Sequence, residues 1–263
     1  MDLLLKGKTV IVTGASQGLG KAIAMEYAAE GAHVYISSRS EEKLQAAVEE
    51  IRNKTRNNEV NYTVCDMKND AQIQTLVQKV VEKYGTVDVL VNNAGGPPAG
   101  KFMDMSDDEW FNAFEQNLLS VVRATKKVIP YMKQQEAGRI VTITSSSIKQ
   151  SIDNLILSNT MRPGVFGLTK SLSQEFAAEN ILVNTVGPGK IATDRMMQLN
   201  ETTAKLEGIS LEEVEKASVA DIPMGRYGRP DEFAKTVVFL GSFANTYVTG
   251  QAVIVDGASV KAL

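Results

Sequence analysis

Two side chains able to do chemistry, Ser158 and Arg162, stand four residues apart in the stretch LSNTMRPG. This spacing places them on one face of a predicted helix, one turn apart. They could be a working pair in a site, or a helix cap and a solvated charge, because Ser158, Asn159 and Thr160 are all residue types that favour N-cap positions. Pro163 is expected in or near the first turn, where its missing N–H is tolerated.

A further hydroxyl and amine precede this pair. Ser145 lies thirteen residues before Ser158, and Lys149 follows Ser145 by four residues. A partly desolvated lysine has a pKa lowered towards neutrality, so that it can act as a proton donor. The alternative for Lys149 is an ordinary solvated charge in a loop.

The chain contains one histidine, His33, and one cysteine, Cys65. This count argues against a His/Cys metal site, so no metal is predicted. His33 is expected to pack at a strand start, and Cys65 to be a small core residue rather than a nucleophile. No intrachain disulfide can form and no signal peptide is recognisable, which together favour a reducing, cytoplasmic setting.

Short β-rich apolar runs alternate with amphipathic stretches along all 263 residues. Each run is nearly continuous, which is typical of strands covered on both faces, and strict alternation predicts a doubly wound parallel sheet of seven strands with helices on both faces. The runs end at Gly14, Arg39, Asp66, Gly95, Ser146, Gly189 and Gly257. The amphipathic stretches are roughly 18–30, 41–56, 69–84, 107–135, 158–179 and 230–243.

No linker or repeat divides the chain, so one domain over 1–263 is expected. The interval 193–228 breaks the alternation, and a long insertion at the carboxyl edge of such a sheet is a candidate substrate lid. Met196 and Met197 there are either lid core or substrate contacts. The net charge of −3 gives no reason to expect nucleic acid or an anionic membrane as partner. No apolar run approaches the roughly 18–20 residues of a membrane span.

The first strand leads into TGASQGLG, which opens a helix. Glycines at 14, 18 and 20 permit a tight turn and let backbone N–H groups approach a pyrophosphate at the helix N-terminus. A plain strand-to-helix turn is the alternative, and the position after the first strand favours a dinucleotide. The residues expected to hold its phosphates are Gly14, Ser16, Gly18, Leu19 and Gly20.

The second strand ends with Ser37, Ser38 and Arg39, where the adenosine ribose of a dinucleotide lies. A hydroxyl and a guanidinium suit a 2′-phosphate, whereas an NAD site usually offers Asp or Glu, so NADP(H) is predicted over NAD(H). Arg39 as a solvated strand end is the alternative. Asp66, followed by Met67, could accept a hydrogen bond from the adenine amino group or cap the next helix.

Taken together, these motifs resemble the short-chain dehydrogenase/reductase family over nearly the whole chain, with 3-oxoacyl-[acyl-carrier-protein] reductases as the nearest type. The carrying motifs are TGASQGLG, NNAG at 92–95, FEQNLLSV, GRIVTITSSS, ILVNTVGPGKIAT and GQAVIVDGAS. The resemblance assigns Ser145 as the catalytic serine and Asn117 as the asparagine of the catalytic helix. It assigns cofactor contacts to Asn93, Ala94, Gly95, Pro188, Gly189, Ile191 and Thr193.

The family uses a Tyr-x-x-x-Lys pair, in which tyrosine donates the proton and lysine lowers its pKa and binds the nicotinamide ribose. In this chain the tyrosine position holds Ser158 and the lysine position holds Arg162, in the pattern of an atypical Ser-x-x-x-Arg subgroup. A serine hydroxyl is a far weaker acid than a phenol of pKa about 10. Arg162 can bind ribose hydroxyls and stabilise an oxyanion, but it does not relay protons.

Two functions therefore stay open. One is an NADP(H)-dependent oxidoreductase that reduces a carbonyl or a conjugated enone on a small or acyl-thioester substrate, with Lys149 as the possible proton source. The other is a non-catalytic NADP-binding sensor or scaffold. The resemblance also implies a homodimer or homotetramer formed through the helices at 107–135 and 158–179.

Overall fold

A computed structural model describes residues 1–262 of the chain. Seven strands form one parallel sheet in the order β3-β2-β1-β4-β5-β6-β7. The order reverses between β1 and β4, so a crevice opens beyond their carboxyl ends. The strands are β1 Thr9–Thr13, β2 His33–Ser38, β3 Val60–Val64, β4 Val89–Asn92, β5 Gly138–Ile143, β6 Ile181–Pro188 and β7 Ala252–Val255.

Nine α-helices connect and cover these strands in the described part of the chain. They are α1 Gly18–Ala29, α2 Glu41–Thr55, α3 Asp70–Tyr84, α4 Asp107–Phe114, α5 Ser120–Gln134, α6 Ile156–Phe176, α7 Asp194–Glu207, α8 Leu211–Ala220 and α9 Pro230–Leu240. Short 3₁₀ turns lie at Phe102–Asp104, Ser146–Ile148 and Ala177–Glu179.

The sheet buries apolar side chains on both faces, which confirms the predicted doubly wound α/β architecture. Val10 and Val12 of β1 pack under α1, α2 and α9, whereas Ile11 between them packs under α3 and α5. Successive side chains of a strand point to opposite faces, so a continuous apolar run is what two covered faces require. The core prediction for Cys65 is confirmed, since it lies buried beneath α3, and burial raises the pKa of its thiol to about 11.

The start of α6 corrects one expectation. The helix begins at Ile156 after Leu155, so Ser158 lies inside the first turn and caps nothing, and Pro163 lies in the helix interior rather than in or near the first turn. The reason is a long-range contact, because Gly100 pairs with Leu155 and its carbonyl accepts a hydrogen bond from the Ile156 N–H at 3.4 Å. This pairing starts the helix two residues before the serine.

The predicted single helix at 107–135 is divided. A π-helical turn at Glu115–Leu119 separates α4 from α5 and carries Asn117. Such turns widen the helix by one residue and frequently occur at functional sites.

The interval 193–228 contains α7 and α8, and its last residue lies next to the residues that precede its first. The Ala192 N–H donates to the Gly228 carbonyl at 2.9 Å, and the Gly228 N–H donates to the Lys190 carbonyl at 3.1 Å. The two ends of the interval are thus held together beside the carboxyl end of β6. Within residues 1–262, no helix has both the length and the apolar character needed to cross a bilayer.

Candidate functional site

The glycine turn after β1 has little room for side chains. Gly14 has a φ of +58°, and a Cβ there would lie 2.6 Å from the Asn93 carbonyl oxygen. A Cβ on Gly20 would collide with the Gly14 carbonyl and the Asn93 amide. The absence of side chains leaves backbone N–H groups and the N-terminus of α1 open to an anionic ligand, and these residues fit a dinucleotide pyrophosphate.

Asn93 fastens the glycine turn to the end of β4. Its Nδ2 donates to the Gly14 carbonyl at 2.9 Å, and its N–H donates to Thr13 Oγ1 at 2.9 Å. Thr13 Oγ1 in turn donates to the Asn93 carbonyl at 2.8 Å. The two strands on either side of the topological switch are therefore joined by side chains as well as by the sheet.

The β2–α2 turn supplies the basic end of the crevice. Ser38 is half-buried and Arg39 is exposed, with no ion pair to a carboxylate among residues 1–262. Ser40 caps α2 by accepting from the Lys43 N–H, and the Lys43 side chain donates to Gln17 Oε1 of the glycine turn at 3.1 Å. Two cations and a helix N-terminus thus surround this position, which favours a phosphate.

Asp66 and Met67 follow β3 at the same edge. Asp66 Oδ1 accepts from the Lys68 N–H at 3.0 Å, whereas α3 is capped by Asn69. The capping alternative for Asp66 is therefore wrong, and its half-buried carboxylate stays available to a ligand. Met67 is buried below it.

Ser145 and Ser158 both contact Ser147, which lies just beyond the end of β5. Ser145 Oγ accepts from the Ser147 N–H at 3.1 Å, and Ser147 Oγ lies 3.4 Å from Ser158 Oγ. Ser147 and Ser158 are both buried. A short turn after β5 and the first turn of α6 therefore place the serine hydroxyls in one cluster.

Arg162 reaches the same strand end from one turn further along α6. Its Nη1 donates to the Ile143 carbonyl at 2.9 Å, and the side chain is 5% exposed. Burial lowers the pKa of the guanidinium to about 10, which leaves it protonated at neutral pH. A fixed positive charge therefore lies beside the hydroxyl cluster.

A small chamber of about 10 Å³ is lined by residues from the end of β1, the end of β4, the π-helical turn and α6. Its lining includes Thr13, Asn92, Asn117 and Arg162. Asn92 Oδ1, Asn117 Oδ1 and Arg162 Nε are buried and have no hydrogen-bond partner in the protein, while Asn117 Nδ2 donates to the Gly95 carbonyl at 2.9 Å. Buried polar atoms of this kind are rarely left unpaired, so they mark a place for a polar ligand atom.

Lys149 lies apart from this cluster. It follows the 3₁₀ turn at Ser146–Ile148 and is exposed to solvent. The desolvation that its predicted proton-donor role depends on is not present in this conformation.

The segment after β6 closes the crevice from the other side. The Gly189 N–H donates to the Val255 carbonyl at 2.9 Å, and Ile191 is buried. Thr193 caps α7, and its methyl group would lie 4.0 Å from a Cβ on Gly18. Pro188, Gly189, Ile191 and Thr193 therefore border the same opening as the glycine turn.

Four further residues near this edge were not predicted from the sequence: Thr13, Lys43, Ser147 and Arg195. Thr13 precedes the first glycine, and Ser147 lies within the same run of serines as Ser145, so both carried a local signal. Lys43 and Arg195 act across distant segments, and no local pattern indicates them.

The parallel sheet, the glycine turn at the switch point and the converging polar side chains define a dinucleotide-binding protein of the Rossmann class. A family model described as Enoyl-(Acyl carrier protein) reductase matches residues 14–258. The chain belongs to the short-chain dehydrogenase/reductase family, as the sequence resemblance predicted.

Curated and solved relatives span nearly the whole chain. The 3-oxoacyl-[acyl-carrier-protein] reductase of Thermotoga maritima is 37% identical over 258 residues, covering 97% of this chain and 99% of the relative. YwfH, an NADPH-dependent reductase involved in bacilysin biosynthesis, superposes with a TM-score of 0.93 at 32% identity, covering 98% of this chain and 100% of the other. The NADPH-dependent reductase BacG of Bacillus subtilis is 33% identical over 256 residues, covering 97% of this chain and 99% of the relative. L-Sorbose reductase of Gluconobacter frateurii, complexed with NADPH and L-sorbose, gives a TM-score of 0.94 at 29% identity over both full chains.

Proposed function

We propose that this protein is an NADP(H)-dependent oxidoreductase that reduces a carbonyl group or a conjugated enone on a small or acyl-thioester substrate. The observation that carries the proposal is the meeting of the glycine turn, the serine cluster and the buried Arg162 guanidinium at one sheet edge. The relatives are ketoacyl, sorbose and other NADPH-dependent reductases, which supports a reductase here.

The preference for NADP(H) over NAD(H) rests on charge. Arg39 and Lys43 offer two cations at the β2–α2 turn, and Ser38 offers a hydroxyl, so a 2′-phosphate has partners there. Asp66 would accept from the adenine amino group. Pro188, Ile191 and Thr193 would hold the carboxamide, and the nicotinamide supplies a hydride when bound.

The proposal includes an atypical Ser-x-x-x-Arg subgroup, because Ser158 and Arg162 stand at the tyrosine and lysine positions. Ser158 is too weak an acid to replace a phenol, but its hydroxyl can donate a hydrogen bond to a substrate oxygen. Arg162 stays protonated and stabilises negative charge that develops on that oxygen, and Ser145 and Asn117 orient the substrate.

Conjugate reduction suits this arrangement. A hydride added to the β-carbon of an enone moves the electron pair of the double bond towards the carbonyl oxygen, giving an enolate. Arg162 and the serine hydroxyls stabilise the enolate oxygen, and the proton arrives afterwards from water or from Lys149. No strong acid has to stand beside the oxygen at the moment of hydride addition.

A substrate screen tests the proposal directly. NADPH consumption at 340 nm is followed with matched ketones, enones and acyl thioesters, after NADPH binding has been measured by fluorescence titration. We expect turnover with enones to exceed turnover with the corresponding saturated ketones. Tight NADPH binding without turnover on any of the three classes would contradict an oxidoreductase.

The second candidate is a non-catalytic NADP-binding sensor or scaffold. It is favoured by the exposure of Lys149 to solvent, because an exposed lysine lacks the desolvation that the proton-donor role requires. The glycine turn would then only bind the dinucleotide. The same screen would show NADPH binding without NADPH consumption on any substrate class.

We also propose that 193–228 acts as a substrate lid on a single domain, because both of its ends are pinned beside the crevice. Self-association as a homodimer or homotetramer is proposed from apolar side chains exposed on and before α4. A lone buried thiol, Cys65, is compatible with a cytoplasmic setting.

A further inference from the structure

Arg195 crosses the mouth of the crevice. It lies in the first turn of α7, just after the Thr193 cap, and its Nη2 donates to the Pro97 carbonyl at 2.8 Å. The guanidinium also lies within 3.6 Å of a Cβ placed on Gly96. A side chain that begins after β6 thus contacts a segment that follows β4.

The sheet order makes this crossing informative. β5 lies between β4 and β6, so a side chain joining the segments after those two strands passes over the carboxyl end of β5. That end leads into Ser145 and the hydroxyl cluster with Ser158. Arg195 therefore bridges the two segments on either side of the strand end from which Ser145 follows.

The position also separates Arg195 from the adenosine end of the crevice. The segment it contacts runs on from Pro97 to Gly100, which pairs with Leu155 at the start of α6. Arg39, the candidate for the 2′-phosphate, stands beyond β1 at the end of β2. The guanidinium thus faces the substrate end of the site.

The charge of Arg195 is not matched by the protein. Among residues 1–262 it forms no ion pair, and its single hydrogen bond goes to a neutral carbonyl. Arg195 is exposed to solvent, and desolvation of its guanidinium by the protein atoms around it lowers the pKa of the group. A planar guanidinium with free N–H groups fits a carboxylate in a two-point contact.

We propose that Arg195 binds a carboxylate on the substrate, so that the site takes oxo acids or unsaturated oxo acids in preference to their neutral analogues. The inference rests on the proposed oxidoreductase function and names its substrate class. Arg195 is a specificity residue in this scheme, and it exchanges the Pro97 carbonyl for the substrate carboxylate on binding.

The test compares short 2-, 3- and 4-oxo acids and the matching unsaturated oxo acids with their methyl esters, in wild type, Arg195→Met and Lys205→Met. Lys205 is an exposed lysine in the last turn of the same helix, so its variant removes the same charge away from the crevice. Initial rates give kcat and KM, and fluorescence titration gives the Kd of NADPH.

We expect wild type and Lys205→Met to favour acids over esters by about tenfold or more in kcat/KM, as a charge-assisted contact allows. Arg195→Met should lose that preference through a higher KM for the acids, with ester turnover and NADPH affinity retained. An equal acid preference in Arg195→Met, or a higher NADPH Kd in that variant, overturns the inference.

A binding measurement keeps the inference testable if the proposed function fails. Calorimetric titration of the NADP⁺-bound protein with the oxo acids should give a Kd that rises about tenfold in Arg195→Met. That result without turnover would remove the oxidoreductase and keep the carboxylate site. Turnover of esters and acids alike by wild type would keep the oxidoreductase and remove the carboxylate site.

Discussion

Arg162 gives the site a charge that does not change over the working pH range. Its pKa, although lowered to about 10 by burial, stays well above neutrality. A lysine in such surroundings can titrate near neutral pH, whereas a guanidinium remains a cation. The residue therefore suits electrostatic stabilisation of an oxyanion and does not suit proton transfer.

Introducing the family's tyrosine and lysine at positions 158 and 162 distinguishes the two candidate functions, an oxidoreductase with altered catalytic residues and a non-catalytic NADP-binding protein. Ser158 is buried with its hydroxyl 3.4 Å from that of Ser147, so a phenol there must displace its neighbours. We expect Ser158→Tyr with Arg162→Lys to lower kcat/KM by about a hundredfold, the range for loss of one donor that stabilises an oxyanion. The rate is measured on the best substrate of the screen.

Thr160→Tyr, an exposed position on the same helix, is the matched control for adding a phenol to α6. It should leave the rate within about twofold of wild type, since surface changes have small effects. Activity that appears in the double variant, from none in wild type, would instead support the sensor candidate.

Among the elements, the β2–α2 turn is the one on which the proposed preference for NADP(H) rests. Arg39 has no carboxylate partner in the described chain, and Ser40 caps α2 so that the helix N-terminus faces the same place. We expect Arg39→Ala to raise the Kd of NADPH by about tenfold or more, because a charge-assisted contact is lost. The Kd of NADH should not change, and fluorescence titration measures both.

Lys54→Ala is the control on the last turn of α2, where the lysine pairs with Glu50 far from the turn. It should bind both dinucleotides as wild type does. An equal loss of NADPH and NADH affinity in Arg39→Ala would contradict a contact with the 2′-phosphate, because it would mean that the arginine contacts a group present in both cofactors.

The sequence predicts those elements that depend on local pattern. Each of the seven strands coincides with a predicted apolar run, and in the five inner strands this is because a strand covered on both faces leaves that pattern in its own residues. The glycine turn is equally local, since Gly14 and Gly20 are needed by the backbone around them.

What sequence reasoning misses depends on distant contacts. Helix α6 begins at Ile156, earlier than the sequence predicted, because Gly100 pairs with Leu155. The residues just before the helix give no local signal of that pairing. Arg195 and Pro97 are 98 residues apart, so their contact arises only when the sheet orders β4, β5 and β6. The exposure of Lys149 likewise depends on the orientation of the 3₁₀ turn at Ser146–Ile148 that precedes it, which no local pattern predicts.

At the scale of the whole molecule, the surface around α4 is unusually apolar. Phe102, Met103 and Phe111 are 64%, 87% and 70% exposed, and Phe102 packs edge-on against Trp110. Large contiguous apolar patches on a soluble chain usually mark an interface. The half-exposed edge strand β7 offers a second surface.

We expect light scattering to show a dimer or tetramer at micromolar concentration. Phe111→Glu replaces one of these exposed apolar side chains by a charge and should shift the population towards monomer, because an uncompensated charge at an interface is costly to desolvate. Gln78→Glu adds the same charge at an exposed position of α3 and should leave the mass unchanged. A monomeric wild type would refute self-association.

The pinned ends of the interval 193–228 have a consequence for how this molecule can diverge. Since Ala192 and Gly228 are hydrogen-bonded to one another, the chain enters and leaves α7 and α8 at almost the same point. Insertions, deletions or replacements between those ends need not shift the register of β6 or β7. The segment, Arg195 included, can therefore vary between its fixed ends without displacing the strands that carry the rest of the candidate site.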